Sequence, residues 1–167
     1  GPFGLAWAVR FPEEVGPIGI LNTIFASDYL WHFWARIWRT PILGELSLLL
    51  LNRPLFVCIF KNLAPQLSRI QINQMFDNFD PPMKRMILRF YRATDPENFQ
   101  GWEDELASLL QTKPALVLWG DQDPFIPPQF AAQFGAQTVK QFPDQGHWLM
   151  LEDPQIVATH LIELFNS

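Results

Sequence analysis

An aspartate and a histidine in two short polar loops are the residues of this chain best placed to do chemistry. The first loop reads Trp119-Gly120-Asp121-Gln122-Asp123-Pro124-Phe125-Ile126-Pro127, and the second reads Phe142-Pro143-Asp144-Gln145-Gly146-His147-Trp148. Each follows a β-prone run, and in open α/β sheets ligands bind beyond the carboxyl ends of the strands. About one helix-plus-strand unit separates Asp123 from His147, the spacing that sets two adjacent loops at the same end of a parallel sheet. A carboxylate in that position fixes the tautomer of the imidazole and stabilises its cation, while the imidazole takes a proton from a nucleophile or a water. Taken singly, each residue has a plainer explanation. Asp123 ahead of Pro124 suits an Asx turn, and His147 between Gly146 and Trp148 suits a packed core histidine. As a pair they point to acid–base chemistry. His32 and His160 fall inside helical patterns and read as structural, Asp121 as solvated, and Asp144 and Glu152 as turn and helix-start residues.

The elements that must position this pair follow from hydrophobic periodicity. Residues 4–10 carry a small-residue helical pattern ended by Phe11-Pro12, and residues 16–23 are a nearly uncharged apolar run that suits a buried strand. From Ser27 to about Leu110 the pattern is helical throughout, five or six short helices broken at Pro41, Pro54, Pro65, Pro81-Pro82 and Pro96. Ala115 to Trp119 is a second strand, Pro127 to Gly135 a short helix, and Gln137 to Phe142 a third strand. Asp153-Pro154 is an N-cap followed by proline at the first helical position. It opens a helix with the stripe Ile156, Val157, Leu161, Leu164 and Phe165. Strands alternating with helices imply an α/β fold with a parallel sheet covered on both faces and a helical block inserted between two strands. Three strands are few for such a sheet, so something should complete it.

Composition narrows the partners. The 167 residues are 49% hydrophobic and 17% charged, enough apolar material for one core. A net charge of -5 repels phosphate backbones and anionic membrane surfaces, which argues against nucleic-acid or lipid-headgroup binding. No apolar stretch is long enough to span a membrane and no signal-peptide pattern opens the chain, so a cytoplasmic protein is expected. The single Cys58, set between Val57 and Ile59, reads as a buried small hydrophobe in a reducing compartment. His32, His147 and His160 show none of the spacings that set metal ligands on one face, and neither metal nor cofactor is expected.

Gly120-x-x-Asp123-Pro124 after one strand, Gly146-His147-Trp148 after the next and Glu152-Asp153-Pro154 beyond them resemble the C-terminal half of the α/β-hydrolase superfamily. The beginning agrees: Gly1-Pro2-Phe3-Gly4-Leu5-Ala6-Trp7-Ala8, Phe11-Pro12-Glu13-Glu14-Val15 and Leu21-Asn22-Thr23 look like the helix after the nucleophile elbow and the strand behind it. The resemblance implies a partial α/β-hydrolase fold: residues 1–26 as core, 27–112 as a helical cap, and 113–167 as core carrying the acid and histidine loops. Gly1 then matches the last glycine of the elbow, with the nucleophile and the N-terminal half of the sheet lying upstream.

The same stretch is similar to the haloalkane dehalogenase and epoxide hydrolase branch, which implies an Asp nucleophile and a small apolar substrate. Asp123 would orient His147, and His147 would activate the water that hydrolyses the ester intermediate. Serine esterases remain open, as does a truncated relative serving in binding or assembly. Trp148, Asn22, Trp34 and Phe125 are the candidate substrate-binding residues. For Trp34, grouped with Trp31 and Trp38 at helical spacing, a core stripe competes with a substrate-facing wall. Tyr29 and Tyr91 are the two tyrosines that an epoxide hydrolase could use, and each is as easily ordinary packing. The expected partner beyond substrate is the N-terminal half of the same fold or a second copy of the chain, because an uncovered strand edge invites association.

Overall fold

The computed structural model describes residues 1–166; Ser167, at the end of the last expected segment, lies outside them. In chain order the elements are α1 (Pro2–Arg10), a 3-10 turn (Pro12–Glu14), β1 (Ile18–Leu21), α2 (Phe33–Arg39), α3 (Leu43–Leu50), α4 (Arg53–Leu63), α5 (Arg69–Asp77) and α6 (Pro81–Ala93). After a 3-10 turn (Pro96–Phe99) come α7 (Trp102–Thr112), β2 (Ala115–Gly120), α8 (Phe130–Gln133), β3 (Thr138–Phe142), α9 (Leu149–Glu152) and α10 (Pro154–Phe165). They form two compact units, Gly1–Tyr29 with Pro96–Ser167, and Leu30–Asp95.

The first unit is built on a parallel sheet of order β1-β2-β3. Ile20 stands opposite Val117, and Val117 opposite Val139. All six residues of β2 are buried, which is why Ala115 to Gly120 carries no charge: a central parallel strand is covered on both faces. On one face Leu116 and Leu118 pack with Leu149, Val157 and Leu164, joined by Leu21, Phe142, Ile156 and Leu161. Those contacts bury the stripe of α10, whose start is capped by the Asp153 carboxylate accepting the Ile156 N–H at 3.0 Å. On the other face Trp119 meets Phe134 just after α8, and α1 packs against α7.

The second unit is a set of five helices, and proline starts two of them rather than breaking them: Pro54 and Pro81 sit in the first turns of α4 and α6. Asn52, Ser68 and Asp80 cap α4, α5 and α6. Phe56 gathers Phe60, Phe76 and Phe79 within 5.5 Å, closing α4 on α5. Arg39 donates to the carbonyls of Tyr91 and Thr94, tying α2 to the end of α6.

Four expectations change. α7 groups with the sheet and not with the helical unit, because its Leu106, Leu109 and Leu110 are buried there. Glu103 also accepts the Ser27 hydroxyl at 3.0 Å, so the inserted unit is Leu30–Asp95 rather than 27–112. Although the helical pattern runs from Ser27, α2 starts only at Phe33, where the His32 ring caps it by accepting the Ala35 N–H through Nδ1 at 3.2 Å; Trp31 therefore precedes the helix and does not share it with Trp34 and Trp38. α8 occupies only Phe130–Gln133 of the expected span from Pro127 to Gly135. Cys58 is exposed, because α4 turns Phe56 and Val57 inward and leaves the next position facing solvent.

Candidate active site

β2 and β3 run parallel, so the loops leaving their carboxyl ends emerge side by side. The Gln122 N–H donates to the Gln145 carbonyl at 2.8 Å, binding the acid loop to the histidine loop directly. Gly120 permits this approach, since a Cβ on it would lie 2.2 Å from the Gly146 carbonyl oxygen and 2.7 Å from that of Gln145. The crossing brings Asp123 Oδ2 to 2.7 Å from His147 Nδ1.

The Asp123 side chain is fully buried, 0% exposed, and a buried carboxylate must be hydrogen-bonded to be tolerated. Oδ1 accepts the N–H groups of Phe125 (2.8 Å) and Ile126 (3.0 Å), the Asx turn that Asp123-Pro124 suggested. Oδ2 accepts the Asn22 amide at 2.9 Å besides facing His147. An oxygen so placed is an acceptor, so His147 Nδ1 donates to it, and the neutral ring holds its lone pair on Nε2. That nitrogen has no hydrogen-bond partner among the described residues. The His147 side chain is 27% exposed while its Nδ1 is held by Asp123.

Asn22 was expected to line a pocket, and the structure assigns its amide otherwise. It follows the last residue of β1 at φ 29°, a left-handed conformation that asparagine tolerates better than most residues. Its Nδ2 donates to the Gly120 carbonyl at 3.1 Å as well as to Asp123, and its Oδ1 accepts the Gly120 N–H at 2.9 Å. The side-chain amide thus adds one more rung to the ladder where β1 stops, and both of its N–H groups are engaged with protein.

Phe125 and Trp148 do flank the histidine. Each ring centre lies 5.1 Å from the imidazole in an edge-on arrangement, and the two rings meet at 5.7 Å. Trp34 belongs to the helical unit, stacked on Trp38 at 6.4 Å. Tyr91 lies in that unit too, against Trp31, His32 and Trp38, where burial pushes its phenol up to about 12. Tyr29 donates its hydroxyl to the Phe125 carbonyl at 3.0 Å and so braces the acid loop. Asp121 accepts from the Gln141 amide at 3.1 Å, and His160 pairs with Glu163 at 3.1 Å.

A fixed acid–histidine pair at the carboxyl ends of adjacent parallel strands is one arrangement that many relatives of a fold can share. The sequence matches the alpha/beta hydrolase fold family over residues 6–154. The chain belongs to this family. No curated protein matches it. Solved structures similar to this alpha/beta hydrolase chain include Cfl2 from Burkholderia cenocepacia, at 20% identity over 95% of this chain and 60% of that one, with a TM-score of 0.71. Others are the 2-hydroxy-6-oxo-6-phenylhexa-2,4-dienoate hydrolase BphD from Rhodococcus sp. strain RHA1 (16% identity, 98% and 60% covered, TM-score 0.70) and the meta-cleavage product hydrolase CumD from Pseudomonas fluorescens IP01 (15% identity, 99% and 61% covered, TM-score 0.69). At these identities the likeness is one of fold. The chain spans about 60% of the length of these proteins.

One contributor escaped the sequence reading. Glu152, by its sequence position a helix-start residue, reaches back to the histidine loop and accepts the N–H groups of Gly146 and Trp148. The signal was a carboxylate one helical turn beyond Trp148, indistinguishable from any surface glutamate without the fold. Among the described residues no single helix is long and apolar enough to cross a membrane.

Proposed function

We propose that this chain supplies the acid–histidine side of an alpha/beta hydrolase active site acting on a small apolar substrate. Carrying the proposal is the contact of 2.7 Å between Asp123 Oδ2 and His147 Nδ1, made by a carboxylate with no exposed surface and an imidazole that is 27% exposed. His147 acts as the base and Asp123 holds its tautomer and stabilises the imidazolium that forms. Phe125 and Trp148 give the histidine apolar walls, which suit an apolar group and exclude bulk water.

Two nucleophiles are compatible with this pair. With a carboxylate, as the likeness of residues 1–8 to the haloalkane dehalogenase and epoxide hydrolase branch suggests, His147 acts only on the water that cleaves the ester intermediate. With a serine, as in the solved serine hydrolase from Cycloclasticus, His147 must first take the hydroxyl proton. The epoxide variant is the weaker of the two carboxylate options, since the Tyr29 hydroxyl is directed at the Phe125 carbonyl. A β1 edge that is unpaired among the described residues, and the exposed Phe3, Trp7 and Phe11 on and beside α1, favour a further piece of sheet and helix as the structural partner.

The test uses His147→Gln and Asp123→Asn in the protein that carries this chain. Each should lower turnover by about 10²–10⁴-fold. Intact-mass analysis after mixing with substrate separates the nucleophiles: His147→Gln accumulates a covalent ester if the nucleophile is a carboxylate and forms none if it is a serine. Unchanged turnover in either variant refutes the assignment of the pair.

A further inference from the structure

We infer that Glu152 is a positioning residue for His147, its carboxylate clamping the backbone on both sides of the histidine so that the imidazole stays aimed at Asp123. The inference rests on the acid–histidine reading above. Asp123 gives the ring one hydrogen bond, and a ring held by one bond is aimed only as well as the backbone that carries it is held. The loop itself has to be held. α9 is a single turn, in which the Leu151 and Glu152 N–H groups both return to the Trp148 carbonyl, at 2.7 and 3.0 Å. The N–H groups of Gly146 and Trp148 lie ahead of that turn and have no helical acceptor. Glu152 provides one from inside the turn: Oε2 accepts from Gly146, and Oε1 accepts from Trp148 at 3.3 Å.

These are the N–H groups of the residues on either side of His147. Gly146 makes room for the carboxylate, because a Cβ there would lie 3.0 Å from Glu152 Oε1. The remaining anchors of the loop lie one step further out, the Gln122 to Gln145 backbone bond on one side and fully buried Leu149 on the other. Remove Glu152 and the N–H groups of Gly146 and Trp148 lose these acceptors, so the ring's hold rests on the Asp123 bond, the edge contacts with Phe125 and Trp148 and the turn that begins at the Trp148 carbonyl. Each of the two donors meets its own oxygen here, and a carboxamide keeps only one of those oxygens as an acceptor. Glu152→Gln therefore sets an NH₂ group against one of the N–H groups while keeping the size of the side chain. Glu152→Ala releases both.

The experiment is proton and nitrogen NMR of the full chain with labelled histidine, reading the Nδ1-bound proton of His147 and its tautomer, with thermal unfolding in parallel. The unaltered chain should show the ring in the Nδ1–H form with that proton in slow exchange. Glu152→Gln should speed its exchange by about tenfold or more, and Glu152→Ala should abolish the signal and mix the tautomers. A plain stabilising cap would lower the melting temperature and leave the imidazole signal of the folded protein untouched; that result overturns the inference. Should Glu152→Ala fail to fold, the same-sized Glu152→Gln decides alone, with unchanged exchange as the refuting outcome. Asp123→Asn is the control that separates the two ideas: an Nδ1–H signal indifferent to it sinks the acid–histidine reading, whereas loss in Asp123→Asn with no effect of Glu152 substitution sinks only the clamp.

Discussion

Asn22 is the most economical place to test how the site is assembled, because one side chain carries three hydrogen bonds that link β1, β2 and the acid. Asn22→Ala removes the donors to Gly120 O (3.1 Å) and Asp123 Oδ2 (2.9 Å) and the acceptor for Gly120 N (2.9 Å). The Gly120 N–H is left buried without a partner, at about 1–3 kcal/mol, and a bond to an ionised group is lost, at about 1.5–3 kcal/mol. Allowing for non-additivity, the cost is about 3–5 kcal/mol, a large share of the roughly 5–15 kcal/mol that holds a domain together. Asn22→Asp keeps the shape but turns the donor into an acceptor facing both Asp123 Oδ2 and the Gly120 carbonyl. The introduced carboxyl must then keep a proton to restore the donor, so its folded pKa rises above its unfolded value of about 3.9. The folded state binds more protons than the unfolded one, and the variant loses stability as pH rises. Urea unfolding at about pH 4.5 and about pH 8 distinguishes the variants. The deficit of Asn22→Asp should grow with pH by about 1.4 kcal/mol per unit of raised pKa crossed, and that of Asn22→Ala should stay nearly constant. A cost for Asn22→Ala below about 1 kcal/mol, or a deficit for Asn22→Asp that ignores pH, would refute the bridging role.

Two further outcomes follow from close contacts and burial. Gly120→Ala should destabilise the chain by about 1–3 kcal/mol or more and cost the His147 Nδ1–H signal, since its Cβ would stand 2.2 Å from a backbone oxygen of the histidine loop. A chain with that substitution and an unaltered imidazole signal would show that the loops do not depend on this crossing. For Tyr91, burial raises the phenol to about 12, so the folded state retains its proton after the unfolded state has lost it near 10. Its contribution, about 2–3 kcal/mol, is present below pH 10 and lost as pH rises toward 12, and Tyr91→Phe should remove the late step from the tyrosinate absorbance titration. Titration of that phenol near 10 would count against its burial.

What the chain determines locally was readable without coordinates. The uncharged run from Ala115 to Trp119 marks a strand covered on both faces, Asp153-Pro154 marks a helix start, and the loops that follow two strands mark where Asp123 and His147 can meet. Each of these depends on neighbours in sequence, through backbone propensity, capping or period, and such signals survive in a linear string. Tertiary structure decided the rest. Asn22 looked like a pocket residue because nothing in Leu21-Asn22-Thr23 reveals that β1 stops beside Gly120, 98 positions away, and that an amide can continue its ladder there. The period of α7 shows that one face is buried but not against which unit, and the apolar run around Cys58 does not say which way α4 is turned. Glu152 was indistinct for the same reason: its role comes from a carboxylate folding back onto peptide groups whose donors the turn leaves unmet. Periodicity constrains how each segment presents its side chains, whereas the partner of a buried polar group depends on which distant segments pack together.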